Sequence, residues 1–153
     1  MKAKNIQKII LGINKLYDVK IEKENPFRVL IGVMLSHRTK DTTSWPATDR
    51  LFERADTPEK FLKLSTEEIA KIIYPVGFYK TKAKRILQTC KMLLEKFDGK
   101  VPNTMEELTE FPGVGPKSAA IVLVWAFKIP AVPVDSHVNR VVQRIGIVKK
   151  GLQ

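Results

Sequence analysis

Apolar residues recur at intervals of three and four along most of this chain, which is the spacing of one face of an α-helix. The first such stretch has lysines on its other face and places five apolar residues together: Ile6, Ile9, Ile10, Ile13 and Leu16. Alternation of apolar and polar residues, which is typical of half-buried strands, is almost absent. The periodicity therefore predicts an all-α fold.

Capping residues, prolines and glycines divide this pattern into eight or nine short helices. Asn25 followed by Pro26 is typical of an N-cap and a first helical position. Ser65 and Thr104 each stand three residues before a glutamate, so both are predicted to open capping boxes. The longest helix is predicted over residues 79–97, and others begin near residues 42, 58, 116 and 136. We expect a compact multi-helix bundle or barrel.

The length and the cysteine content restrict the class of protein. A chain of 153 residues suffices for one domain, or for one domain and part of another. Its single cysteine, Cys90, excludes an internal disulfide and any multi-cysteine metal centre made by this chain alone. The spacing of His37 and His137 relative to Cys90 fits no compact zinc site, so we predict no metal. No membrane span or signal peptide is visible, and we expect an intracellular protein of the cytoplasm or nucleoid.

The charge of the chain favours a nucleic-acid partner. Lysine and arginine number 27 against 16 acidic residues, which gives a net charge of +11. Residues 80–100 alone hold seven basic and two acidic residues, a face able to follow a phosphate backbone. The alternative is a solvated surface that keeps the protein in solution.

Residues 108–120 contain the strongest local motif, in which Gly113 and Gly115 flank Val114 in a tight turn before a predicted helix. Glycine permits left-handed torsions and close approach of a partner. The N–H groups at the start of a helix favour an anion. The turn is therefore a candidate backbone cradle for a phosphate, although glycines of this kind also serve packing alone.

Two charged residues near predicted helix starts are candidates for catalysis. Lys117 follows the cradle; if partly buried, it would more often be the neutral amine that acts as a nucleophile. A solvated lysine that touches phosphate is the alternative. Asp135 stands eighteen positions later, where it can cap a helix and can also stabilise positive charge developing at a sugar carbon.

These two motifs resemble the helix-hairpin-helix DNA glycosylases, and most closely the endonuclease III family of bifunctional glycosylase/AP lyases for oxidised pyrimidines. The similarity extends from Asn25 to Arg140 and includes Pro-Gly-Val-Gly-Pro-Lys at 112–117 and Pro-Val-Asp-Ser-His at 133–137. The resemblance implies that Lys117 is the Schiff-base nucleophile and Asp135 the catalytic carboxylate. It also implies that three residues form the phosphate clamp: Gly113, Val114 and Gly115.

The same resemblance points to two residues that would contact the gap left by a flipped nucleotide. Met34 to Asp41 match the loop that normally inserts a glutamine, and here the matching position is Arg38. Phe78 matches an apolar side chain that wedges into the base stack. A core aromatic is the alternative for Phe78.

The resemblance also sets expectations for domains and cofactors. Residues 22–132 would form the helical-barrel domain, with 1–21 and 133–153 as parts of an incomplete second helical domain. Relatives usually continue into a four-cysteine iron-sulfur loop, so we expect this chain to be truncated. It would hold no cofactor itself, and a [4Fe-4S] cluster is implied only if a missing C-terminal four-cysteine segment exists.

The sequence thus predicts a base-excision repair enzyme, a monomer that acts on double-stranded DNA with damaged bases or abasic sites. One alternative is a glycosylase for oxidised guanine, which uses a similar lysine and aspartate. An adenine-mismatch glycosylase is disfavoured because it does not use a lysine nucleophile. The remaining alternative is a helix-hairpin-helix DNA-binding module without catalysis.

Overall fold

A computed structural model describes residues 3–16 and 23–148, and these residues form helices and connecting turns without a strand. The all-α prediction is confirmed. In chain order the helices are α1 (Ala3–Leu16), α2 (Pro26–Ser36), α3 (Asp41–Arg54), α4 (Pro58–Phe61), α5 (Thr66–Ile73), α6 (Tyr79–Phe97), α7 (Met105–Thr109), α8 (Pro116–Phe127) and α9 (Ser136–Arg144).

The chain divides into two compact units. The larger is Lys23–Pro133, and the smaller combines Met1–Glu22 with Val134–Gln153. The predicted domain limits, residues 22 and 132, differ from these by one residue. That the smaller unit is an incomplete domain stays a prediction, and residues 149–153, where we expected truncation, lie outside the described residues.

Helix α2 is the centre of the larger unit, where it packs against α3, α6 and α8. Its residues from Val29 to Leu35 are all buried, because a helix that is apolar on every side must be covered on every side. Three phenylalanines, Phe27, Phe52 and Phe61, pack with ring centroids 5.0–5.5 Å apart at the start of α2. This core holds the end of α2 and the beginning of α8 close to α6.

Side chains cap the predicted helix starts at Asn25, Ser65 and Thr104. Asn25 accepts hydrogen bonds from the N–H groups of Phe27 and Arg28, and Ser65 forms a complete capping box with Glu68. Both predictions are confirmed. The capping box predicted at Thr104 is only half formed. The Thr104 hydroxyl accepts a hydrogen bond from the N–H of Glu107, as predicted. The second bond is wrong, because the Glu107 carboxylate accepts from the Thr104 hydroxyl and not from the Thr104 backbone N–H.

Helices α1 and α9 belong to the smaller unit. The predicted first helix is confirmed, with Ile6 and Ile9 half-buried and Ile10, Ile13 and Leu16 exposed. None of the residues of α9 is buried. None of the described helices combines the length and apolar composition that a membrane span requires.

Candidate functional site

A cavity of about 520 Å³ in the larger unit brings three predicted site residues together. It lies where the end of α2, the start of α6 and the start of α8 meet. Its lining includes Arg38, Phe78 and Lys117. A larger groove of about 620 Å³ between α5 and α6 is lined by none of the predicted site residues.

Lys117 is the second residue of α8, directly after Pro116 in the first helical position. Its side chain is exposed, so the partial burial considered from the sequence is not observed. Lys117 therefore lies at the surface of the cavity and is not buried in the core.

Arg38 and Phe78 form one exposed pair at the mouth of the cavity. Both residues have left-handed backbone torsions, with φ of +50° and +57°. The guanidinium carbon of Arg38 lies 5.9 Å from the centroid of the Phe78 ring, within range of a cation–π interaction. Phe78 is 63% exposed, so the core alternative considered for it is wrong.

The ammonium group of Lys82 holds the loop that carries Arg38. Lys82 is 5% exposed and donates hydrogen bonds to the carbonyls of Leu35 (2.8 Å) and His37 (2.5 Å) and to Thr39 Oγ1 (3.2 Å). The N–H of Gly77 also donates to Thr39 Oγ1, at 3.1 Å. The loop after α2 is thereby tied to the segment that precedes α6.

Burial, and secondly the charge of Arg85, lowers the pKa of Lys82 from 10.5 to about 8. Sequence reasoning missed this residue. The sequence did contain a signal for it. Lys82 stands four residues before Ile86 and eight before Cys90, on the buried face of the helix, where a lysine needs hydrogen-bond partners.

His37 links the same loop to α8. His37 Nε2 and Ser118 Oγ share a hydrogen bond of 2.6 Å, next to Lys117 in sequence. Burial lowers the pKa of His37, and three positive charges lower it further: those of Lys82, Lys117 and Arg85. His37 is therefore a neutral imidazole at pH 7 in a strongly positive site. Among the described residues no group of three or more His, Cys, Asp or Glu side chains could hold a metal.

The glycine turn before α8 has two different glycines. Gly113 has a left-handed φ of +83°, whereas Gly115 is extended and is the N-cap residue of α8. The N–H of Val114 donates to the carbonyl of Phe111 at 3.0 Å, so the turn itself uses this donor. Within the described residues the N–H groups of Gly113 and Gly115 form no hydrogen bond, and they are the donors left for an anion.

Most of this chain matches a known protein family. Residues 31–152 match the family model described as HhH-GPD superfamily base excision DNA repair protein. This chain belongs to the HhH-GPD superfamily. The glycine turn, Lys117 and the residues that line the cavity all lie within the part of the chain that the family model covers.

Individual HhH-GPD proteins agree with this assignment. Endonuclease III of Thermotoga maritima is 42% identical over 144 residues, which cover 94% of this chain and 68% of that protein. A non-covalent endonuclease III–DNA complex has a TM-score of 0.90 at 35% identity, covering 100% of this chain and 73% of that one. An 8-oxoguanine glycosylase/lyase of Clostridium acetobutylicum bound to DNA, at 18% identity and a TM-score of 0.74, shares the fold and covers 100% and 61%.

Asp135 belongs to the smaller unit, where it is the N-cap of α9. Its Oδ1 accepts hydrogen bonds from the N–H groups of His137 (3.0 Å) and Val138 (2.8 Å). The capping role predicted for Asp135 is confirmed. The catalytic role of Asp135 stays a prediction.

The single cysteine does not fit an iron-sulfur centre. Cys90 is buried in α6, and burial, followed by the charge of Glu59, raises the pKa of its thiol to about 12. A four-cysteine cluster needs thiolate ligands, and one buried thiol cannot supply them.

The lowered pKa of Lys82 leads to a test by pH. Between about pH 8 and pH 10.5 the unfolded chain keeps the Lys82 proton that the folded chain has lost. The unfolded state then binds more protons, so this residue makes stability rise with pH in that window. We expect the difference in unfolding free energy between the wild type and Lys82→Arg, measured by urea titration, to rise from about pH 8 to pH 10.5. A difference that stays flat contradicts the lowered pKa.

The two glycines should respond differently to alanine. At position 113 the Cβ of alanine would lie 3.0 Å from Arg85 Nη1, and the residue would have to adopt a φ of +83°. At position 115 the Cβ would meet nothing within 4 Å. We expect Gly113→Ala to lower the unfolding free energy by about 1–2 kcal/mol. Gly115→Ala should leave it within about 0.5 kcal/mol of the wild type. Equal losses in urea denaturation would contradict this difference.

Proposed function

We propose that this chain is a DNA glycosylase with AP lyase activity that removes oxidised pyrimidines from duplex DNA, with Lys117 as its nucleophile. The observation that supports this most is the position of Lys117. It lines the cavity that Arg38 and Phe78 border, and it follows the glycine turn by two residues. A base-excision enzyme needs these three elements together: a strand clamp, a means of base extrusion and a nucleophile at the sugar.

Binding begins with the phosphate backbone. The N–H groups of Gly113 and Gly115 would donate to one phosphate at the head of α8, where the helix dipole also favours negative charge. Val114 contributes its buried side chain to the turn rather than its N–H. Such contacts position the duplex without reading its sequence.

Extrusion of the damaged nucleotide is assigned to the exposed pair at the cavity mouth. The Phe78 ring would enter the base stack, and the Arg38 guanidinium would occupy the space that the flipped nucleotide leaves. The two side chains already lie together without DNA, with the guanidinium carbon 5.9 Å from the ring centroid. The cavity of about 520 Å³ falls in the range of small-molecule sites, which suits a single base.

The chemistry then proceeds at the sugar. The neutral amine of Lys117 attacks C1′, the C1′–N bond breaks, and the base departs with the bonding electrons and takes up a proton. Loss of the amine protons and opening of the sugar ring at O4′ leave a Schiff base between Lys117 and C1′. Removal of a C2′ proton then expels the 3′ phosphate by β-elimination, which cuts the strand.

Asp135 is proposed to assist departure of the base. Its carboxylate would stabilise the positive charge that develops at the sugar and manage the protons of the reaction. The resemblance to endonuclease III supports this role. Because the proposed substrate is DNA, the reaction would take place where the cell keeps its DNA. A [4Fe-4S] cluster in the protein would need cysteine ligands other than Cys90.

Borohydride trapping tests the nucleophile. We expect Lys117→Gln to lose the reduced covalent adduct on abasic-site DNA, because no amine remains to form the imine, while duplex affinity changes less than about threefold. Lys128→Gln, at the other end of α8, is the matched control and should trap like the wild type. Wild-type adduct levels with Lys117→Gln would contradict the assignment. If the wild type binds DNA but forms no adduct, the non-catalytic DNA-binding module is supported instead.

Asp135→Asn separates charge from capping, because asparagine caps a helix about as well as aspartate. We expect excision of an oxidised pyrimidine to fall by at least about 100-fold, with a smaller loss of strand cleavage at a preformed abasic site. Single-turnover assays on the two substrates measure the difference. Equal losses on both substrates would indicate that the carboxylate acts only on structure.

A further inference from the structure

The side chain of Arg85 lies directly against the glycine turn. A Cβ built on Gly113 would be 3.0 Å from Arg85 Nη1, 3.2 Å from its Cδ and 3.6 Å from its Cζ. A side chain at position 113 would therefore force this arginine to shift by a few tenths of an ångström. Arg85 is exposed and also lines the cavity that contains Lys117. It thus joins the turn to the cavity.

The surroundings of Arg85 are positive and, within the described residues, no carboxylate forms an ion pair with it. Its charge acts on both His37 and Lys82, and Lys117 faces the same histidine. Arg38 adds another positive charge to the cavity lining. The acidic residue that precedes the turn, Glu110, is paired with Lys96 at 2.8 Å.

Positive groups that lie close together repel one another, and an anion bound at Arg85, which has no ion pair within the described residues, would relieve that repulsion. The guanidinium presents several donors in one plane, a geometry that matches the oxygens of a phosphodiester. The N–H of Gly113, beside it, forms no hydrogen bond within the described residues. Two kinds of donor therefore lie close together at one exposed place.

We propose that Arg85 and the N–H of Gly113 together bind one backbone phosphodiester of the DNA strand. This proposal rests on the proposed function and adds a side-chain ligand to a contact otherwise made by backbone alone. It also gives Gly113 a second role: besides its left-handed torsion, the missing side chain leaves room for the guanidinium.

The test is the salt dependence of binding to a duplex that contains a tetrahydrofuran abasic-site analogue. For Arg85→Gln we expect the slope of log affinity against log salt to fall in magnitude by about one, because one fewer counterion is released. Affinity should drop at least about tenfold at the lowest salt, and equally for an undamaged duplex. Arg85→Lys keeps the charge and should keep the slope. Arg54→Gln, an exposed arginine on α3 outside the cavity, is the matched control and should bind like the wild type.

A double-mutant cycle tests the partnership with the turn. Gly113→Ala forces Arg85 to shift against the turn, so its effect on affinity should be non-additive with that of Arg85→Gln. Gly115→Ala, whose Cβ meets open space, should be additive with it. Additivity for both glycines overturns the shared phosphate site.

Three further outcomes separate this inference from the proposed function. If the wild type traps on abasic DNA and Arg85→Gln keeps the full salt slope, Arg85 is not a phosphate ligand while the proposed function stands. If Arg85→Gln loses affinity only for one lesion, it reads a base, and the inference is again overturned. If the wild type does not bind duplex DNA at all, the proposed function itself fails. Thermal denaturation of each variant confirms that the fold is intact.

Discussion

The buried ammonium of Lys82 is the interaction on which the candidate site depends. A charged group removed from water needs a partner for each hydrogen, and Lys82 finds three acceptors where α2 ends and the following loop begins. Lys82 lies in the first turn of α6, and Phe78 is the residue directly before that helix. The hydrogen bonds of Lys82 therefore hold the loop after α2 close to Phe78. Arg38 and Phe78 meet as a consequence of this arrangement.

The same lysine sets the electrostatic character of the cavity. Lys82, Arg85 and Lys117 surround His37, which stays neutral at pH 7 because burial and these charges oppose its protonation. A protein that only needed stability would place carboxylates among such cations. Here Arg85 forms no ion pair within the described residues, so the favourable partner for its charge is an anion brought from outside.

Helix starts have two roles in this chain. The heads of α8 and α9 carry the two residues assigned to catalysis: Lys117 follows the N-cap Gly115, and Asp135 is itself an N-cap. Helix N-termini present N–H groups and positive potential, which suits both a phosphate and a carboxylate. Capping and chemistry are therefore compatible at Asp135, and the substitution by asparagine distinguishes them.

The sequence by itself determined the local features of this protein. Helical periodicity, the caps at Asn25 and Ser65 and the glycine turn depend on residues a few positions apart, so each was visible without a structure. The likeness to endonuclease III rested on motifs of the same kind. The error at Thr104 was also local, since two geometries satisfy the same pair of side chains.

Only the tertiary structure decided how these local features combine into a site. The hydrogen bonds of Lys82 with Leu35 and of His37 with Ser118 join residues 47 and 81 positions apart, and no periodicity records such contacts. The exposure of Phe78 and the contact of Arg85 with Gly113 likewise follow from the packing of α6 against the turn. A sequence pattern specifies which face of a helix is apolar, but the meeting of two distant polar groups depends on the packing of the whole core.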